Sequence, residues 1–123
     1  MLNILSLIFV PYSHAQIESE EIHYERIGDS QLVLFVEVDN FDPETVTAKW
    51  YKDGKLVEDC DDTEYHTGDS NNLSAQASNS VVAISLYVAN YKAAEGQWSL
   101  TIDDGVASQS IGLSLTGDKF AEL

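Results

Sequence analysis

The side chains able to do chemistry are few, and their spacing assembles no catalytic set. The histidines are His14, His23 and His66, and the one cysteine is Cys60. No Ser-His-Asp arrangement can be built from their positions, and Cys60 has no evident histidine partner. No glycine-rich phosphate loop is present. Glu58-Asp59-Cys60-Asp61-Asp62-Thr63-Glu64 packs five carboxylates into seven residues. Calcium prefers oxygen ligands, but this run follows no calcium-loop spacing and lacks the glycine such loops need. It reads as a solvated acidic loop, with weak calcium binding as the alternative. Asp39, Asp42 and Glu44 make a second, looser acidic group. The negative charge around Cys60 raises a thiol pKa and makes the sulfur less reactive. If the chain is secreted, this odd cysteine could instead pair between chains. Asn72-Leu73-Ser74 is an N-glycosylation sequon that matters only in the secretory pathway. No enzyme, metal site or cofactor is assigned.

Charge narrows the partners. The 123 residues carry 21 acidic and 6 basic side chains, a net charge of −15. Nucleic-acid binding needs a basic footprint that is absent here, and an anionic membrane surface would repel the chain. Protein partners or self-association remain. A single cysteine allows no internal disulfide, which points to a reducing compartment. The N-terminus points the other way. Leu2 to Val10 is apolar, Pro11 follows, and Ser13-His14-Ala15 suits cleavage before Gln16. Residues 1–15 therefore read as a secretory signal without the usual basic start, and 16–123 as one domain. The rival is an apolar segment that stays on the chain as an extra strand or lies against a partner. This mostly apolar run of nine residues is too short to span a bilayer, and no second apolar stretch follows, so no membrane insertion is expected.

The elements that would carry such a domain are strands. Ile22 to Ile27 is a first strand, turned by Gly28-Asp29-Ser30. Leu32, Leu34, Val36 and Val38 alternate and so share one sheet face. Val46, Ala48 and Trp50 repeat the pattern, and Asp53-Gly54 is a hairpin turn before Leu56 and Val57. Residues 58–79 are polar and acidic, a long loop with one or two short edge strands. Val82, Ile84, Leu86 and Val88 alternate again, then Trp98, Leu100 and Ile102. Asp103-Asp104-Gly105 turns the chain into Ile111, Leu113 and Leu115. Seven or so short strands at this spacing predict an all-β sandwich of seven to eight strands.

Specific residues add a family. Trp50-Tyr51-Lys52-Asp53-Gly54-Lys55 resembles the third-strand tryptophan and hairpin of immunoglobulin domains. The resemblance is to the I-set type of titin- and twitchin-like muscle proteins and of adhesion molecules. Leu86-Tyr87-Val88 and Glu95-Gly96-Gln97-Trp98-Ser99-Leu100 resemble the corner leading into the sixth strand, and the likeness covers roughly residues 20–116. It places Val36 and Leu100 where the family has its two disulfide cysteines, and Trp98 where the corner tyrosine is expected. The corner is about one residue short and has Glu95 for the usual aspartate. An indole N–H can donate but not accept, so the corner bond must differ or be absent. Val36, Trp50, Trp98 and Leu100 are the expected structural core. Losing a disulfide costs about 2–5 kcal/mol, and two buried aliphatic side chains at about 1.5–3 kcal/mol each can offset that.

Alternation also assigns the outer faces. Thr47, Lys49, Tyr51, Ser99, Thr101, Ser110, Gly112 and Ser114 would make one polar face of small residues. Strand two would expose Val33 and Phe35, and the fifth strand, its neighbour in the resembled fold, Val81, Ala83 and Tyr87. Val33, Phe35, Val81 and Tyr87 are therefore the candidate protein-binding patch, unless the first strand, the acidic loop or the N-terminus covers it. The first expectation is a secreted, non-catalytic module that binds a protein partner through a sheet face or loops; the alternative is an intracellular muscle-type structural domain in a filament or array, and a lesser one is a viral or phage surface module.

Overall fold

Alternating Val, Ile and Leu with polar neighbours produces strands that bury one face each, and two such faces close on one another. The computed structural model describes residues 15–42, 44–57, 65–69 (backbone only) and 82–123. Among the described residues nine strands run in chain order: β1 Gln16–Ile17, β2 His23–Ile27, β3 Gln31–Asp39, β4 Thr47–Lys52, β5 Lys55–Leu56, β6 Tyr65–Asp69, β7 Val82–Val88, β8 Gly96–Asp103 and β9 Ser108–Leu115. One sheet has the order β1-β3-β7-β6, with β2 also beside β3; the other has the order β5-β4-β8-β9. Every pairing is antiparallel. The all-β sandwich expected from the sequence is the fold.

The core lies between the sheets. Leu32, Leu34, Val36 and Val38 from β3 meet Trp50 from β4 and Trp98, Leu100 and Ile102 from β8 in one buried cluster. Val36 and Leu100 are both fully buried. The four expected core residues are thus all inside. Trp50 Nε1 is buried with no hydrogen-bond partner among the described residues, so this indole contributes by packing and not through its N–H.

The corner bond exists in altered form. Tyr91–Ala93 forms a single 3-10 turn, capped by Asn90 through a 3.0 Å bond from the Lys92 N–H. Ala94 ends it, fully buried, and Trp98 Nε1 donates to the Ala94 carbonyl at 2.8 Å. An indole therefore spans the four-residue corner by donating, which is the one thing its N–H can do. The Tyr91 N–H donates to the Ser30 carbonyl at 2.7 Å, fixing this corner to the β2–β3 turn.

Three elements were not legible in the sequence. β1 is too short to show a period; it pairs Gln16 with Asp39 and Ile17 with Val38. The Gln109 side chain from β9 holds it from the other sheet. Gln109 Nε2 donates to the Ala15 carbonyl at 2.8 Å, and the Ile17 N–H donates to Gln109 Oε1 at 3.1 Å. The 3-10 turn and the helix α1, Gly117–Ala121, are the others; Phe120 from α1 packs partly against the core. β6 is one of the edge strands expected within 58–79, and the rest of that stretch lies outside the described residues.

Trp98→Phe keeps most of the buried ring and removes the donor to Ala94. It is expected to cost about 1–3 kcal/mol, because a buried carbonyl is left without its partner. Urea unfolding measures this, and an unchanged midpoint would show the corner bond to be dispensable.

Candidate interaction surface

On the outer face of the first sheet, register decides which side chains meet. β3 runs between β2 and β7, so each β3 residue has a neighbour on both sides. Glu25, Val33 and Tyr87 form one cross-strand row; His23, Phe35 and Ser85 form the next; Glu37 and Ala83 follow. Directly opposed side chains in such rows are in reach of one another. His23 and Phe35 stack with ring centroids 5.2 Å apart and planes 32° apart. Phe35, Ala83 and Tyr87 are half-buried, while His23, Glu25 and Glu37 are exposed.

The expected patch is therefore altered. Phe35 and Tyr87 do share the face. Val33 does not stand open: it is only 9% exposed, because β3 is a central strand and Val33 lies between the larger Glu25 and Tyr87. Val81 lies outside the described residues, as do the acidic run 58–64, Cys60, Asn72 and His14. Alternation alone is enough to put Phe35 and Tyr87 on one face. It missed His23 and Glu25, because only the pairing of β2 with β3 brings them beside Phe35.

The opposite sheet has a different surface. Thr101 Oγ1 and Ser110 Oγ lie 2.8 Å apart, and Ser114 Oγ donates to Gln97 Oε1 at 2.6 Å. Its small polar residues are thus occupied with each other, a poor anchor for a partner. At its edge Asp53 adopts φ 51 in the β4–β5 turn. Its backbone N–H donates to the Gln97 carbonyl at 2.7 Å, and its Oδ1 accepts from the Gln97 N–H at 2.9 Å. Lys52 Nζ is 3.1 Å from Oδ2. The Gln97 N–H, then the Lys52 ammonium, hold the Asp53 carboxyl below the ordinary carboxylate value. Gly96 leaves the space for this: a Cβ there would stand 2.9 Å from Asp53 Oδ1, at a φ of +153°.

The positive charges all lie away from the first sheet's outer face. Lys49, Lys52 and Lys55 belong to β4 and β5, and Lys92 and Lys119 to the two helical turns. Arg26 sits at an inward position of β2, with its guanidinium 3.9 Å from the centroid of the Tyr91 ring. Among the described residues no group of histidine, cysteine or carboxylate side chains could hold a metal. No helix among them is long and apolar enough to cross a membrane.

Known structures share this architecture. The twitchin kinase fragment of C. elegans, an autoregulated protein kinase with immunoglobulin domains, matches with a TM-score of 0.53 at 11% identity. The match covers 78% of this chain and 19% of that one. The fold is immunoglobulin-like. A chimeric titin Z1Z2 tandem, functionalized with an exogenous peptide from fibronectin, matches with a TM-score of 0.46 at 21% identity, over 68% of this chain and 36% of its own. The immunoglobulin-like chain thus spans well under half of either protein. No family model matches it, and neither does any curated protein.

Two measurements follow from these two faces. Val33→Asp puts a charge at a site that is nearly closed to water and is expected to cost about 2–4 kcal/mol. Phe35→Thr, on the same strand but half-exposed, is expected to cost clearly less; equal losses in urea unfolding would contradict the burial difference. At Asp53, stability supplied by the charged form is complete above about pH 4 to 5. It is lost as pH falls through the lowered native value. Asp53→Asn tolerates the same left-handed backbone. The gap between wild type and this variant should therefore be wider at pH 6 than at pH 2.5. An equal gap would show that the charge contributes nothing.

Proposed function

We propose that this chain is a non-catalytic, immunoglobulin-like protein-interaction module of the intracellular type, one structural domain of a filament or array. The observation that carries this reading is the core without a covalent link. Val36 and Leu100 are fully buried at the positions where the resemblance puts the family's cysteines. A sandwich held by packing alone has no need of an oxidising compartment. The likeness to a twitchin fragment supports the same reading at the level of fold. Ala15 adds to it: the residue is 4% exposed, and its carbonyl accepts from Gln109. Cleavage after Ala15 would remove both the buried methyl group and the acceptor.

A secreted binding module is the second reading, favoured by the apolar run Leu2 to Val10 and by Ser13-His14-Ala15. In both readings the chain acts by presenting a surface, and the outer face of the first sheet, with Phe35 and Tyr87, is the surface we assign. The intact mass of the protein from its native source separates the two. A species that retains Ala15 is expected. A species beginning at Gln16, with or without a glycan on Asn72, would overturn the intracellular reading and establish the secreted one.

A further inference from the structure

The outer face of the first sheet combines two features that point to one kind of occupant. Its centre is aromatic: Phe35 and Tyr87 lie on adjacent strands one row apart, and His23 stacks on Phe35. Its flanks are anionic. Glu25 shares the Val33–Tyr87 row, Glu37 is two residues along β3 from Phe35, and Asp39 is two further. Among the described residues, not one of the chain's six Lys and Arg side chains faces this surface; all sit on the other sheet, in the helical turns or at the inward Arg26 position.

Ring faces are electron-rich and attract cations, and a guanidinium does so while donating hydrogen bonds from its edge. A carboxylate beside the ring accepts those bonds. Arg26 over Tyr91 is the same stacking made within the chain. A second copy is a poor occupant, because each copy carries −15 and the two acidic faces would repel each other.

We infer that this face binds an arginine-bearing segment of another protein. Guanidinium groups stack on Phe35 and Tyr87, and Glu25 and Glu37 take the charge. The inference rests on the reading of the chain as a protein-interaction module and names the partner's chemistry.

The test uses the full chain, isotopically labelled, with two synthetic peptides of equal length, one alternating Arg and Leu and one alternating Ser and Leu. The Arg-Leu peptide is expected to shift the amide signals of Glu25, Phe35, Glu37 and Tyr87. Its binding should weaken by about tenfold or more in the double variant Glu25→Gln, Glu37→Gln, and fall as salt is raised. Equal, salt-independent shifts from the Ser-Leu peptide would overturn the basic partner while leaving the face a docking surface. Shifts confined to other residues, or binding unchanged in the double variant, would overturn the assignment of this face altogether. Shifts at the same amides on concentrating the protein alone would put a second copy there and overturn the inference as well. Glu25 and Glu37 are exposed, so the double variant is expected to unfold at the same urea concentration as the parent. If it does not, the single variants carry the comparison.

Discussion

Two sheets must stay together here without a covalent bond between them, and much of the chain's construction answers that constraint. Val36 and Leu100 stand fully buried at the positions where the resemblance to immunoglobulin domains puts a disulfide. Each offers apolar burial of about 1.5–3 kcal/mol, which together is comparable with the bond they replace. The two tryptophans divide the remaining work unequally. Trp50 fills space with its indole N–H unpartnered. Trp98 fills space and also closes the corner by donating to Ala94. Because a buried polar group left unpaired is costly, the corner must be held rigidly enough to keep that carbonyl in place, and the Tyr91 to Ser30 bond does so.

The periphery uses polar contacts where packing runs out. Gln109 reaches from β9 to satisfy the Ala15 carbonyl and the Ile17 N–H, joining the first strand to both sheets. At the other edge Asp53 joins the β4–β5 turn to β8 through Gln97, and Gly96 beside that carboxylate holds a φ of +153°, which side chains rarely adopt. These contacts are peripheral and partly exposed, so they fix register and ends more than they add to the global stability.

The consequence for function is an asymmetry between the outer faces. One carries hydroxyl side chains hydrogen-bonded across its strands to a hydroxyl or to Gln97, with Lys49 and Lys55 exposed on β4 and β5. The other carries aromatic side chains among carboxylates and no cation among the described residues. On the reading proposed above, a sandwich that acts by binding has its faces, edges and loops to work with. The aromatic, acidic face is where a partner would gain most from contact, since aromatic anchors dominate interface energetics.

The sequence by itself determined the fold class, the longer strands and their inward-facing residues. Period-two alternation is a local signal, and the inward residues of β3, β7 and β8 show it without help from neighbours. It also determined the net charge of −15. What only the tertiary structure decided is everything that depends on which strand lies beside which. Val33 closes because β3 is central. His23 and Glu25 join Phe35 because β2 pairs with β3 in that register. Gln109 holds Ala15 across 94 positions of sequence. Such contacts leave no periodic trace, since a long-range hydrogen bond is set by the closing of two sheets and not by the residues on either side of it.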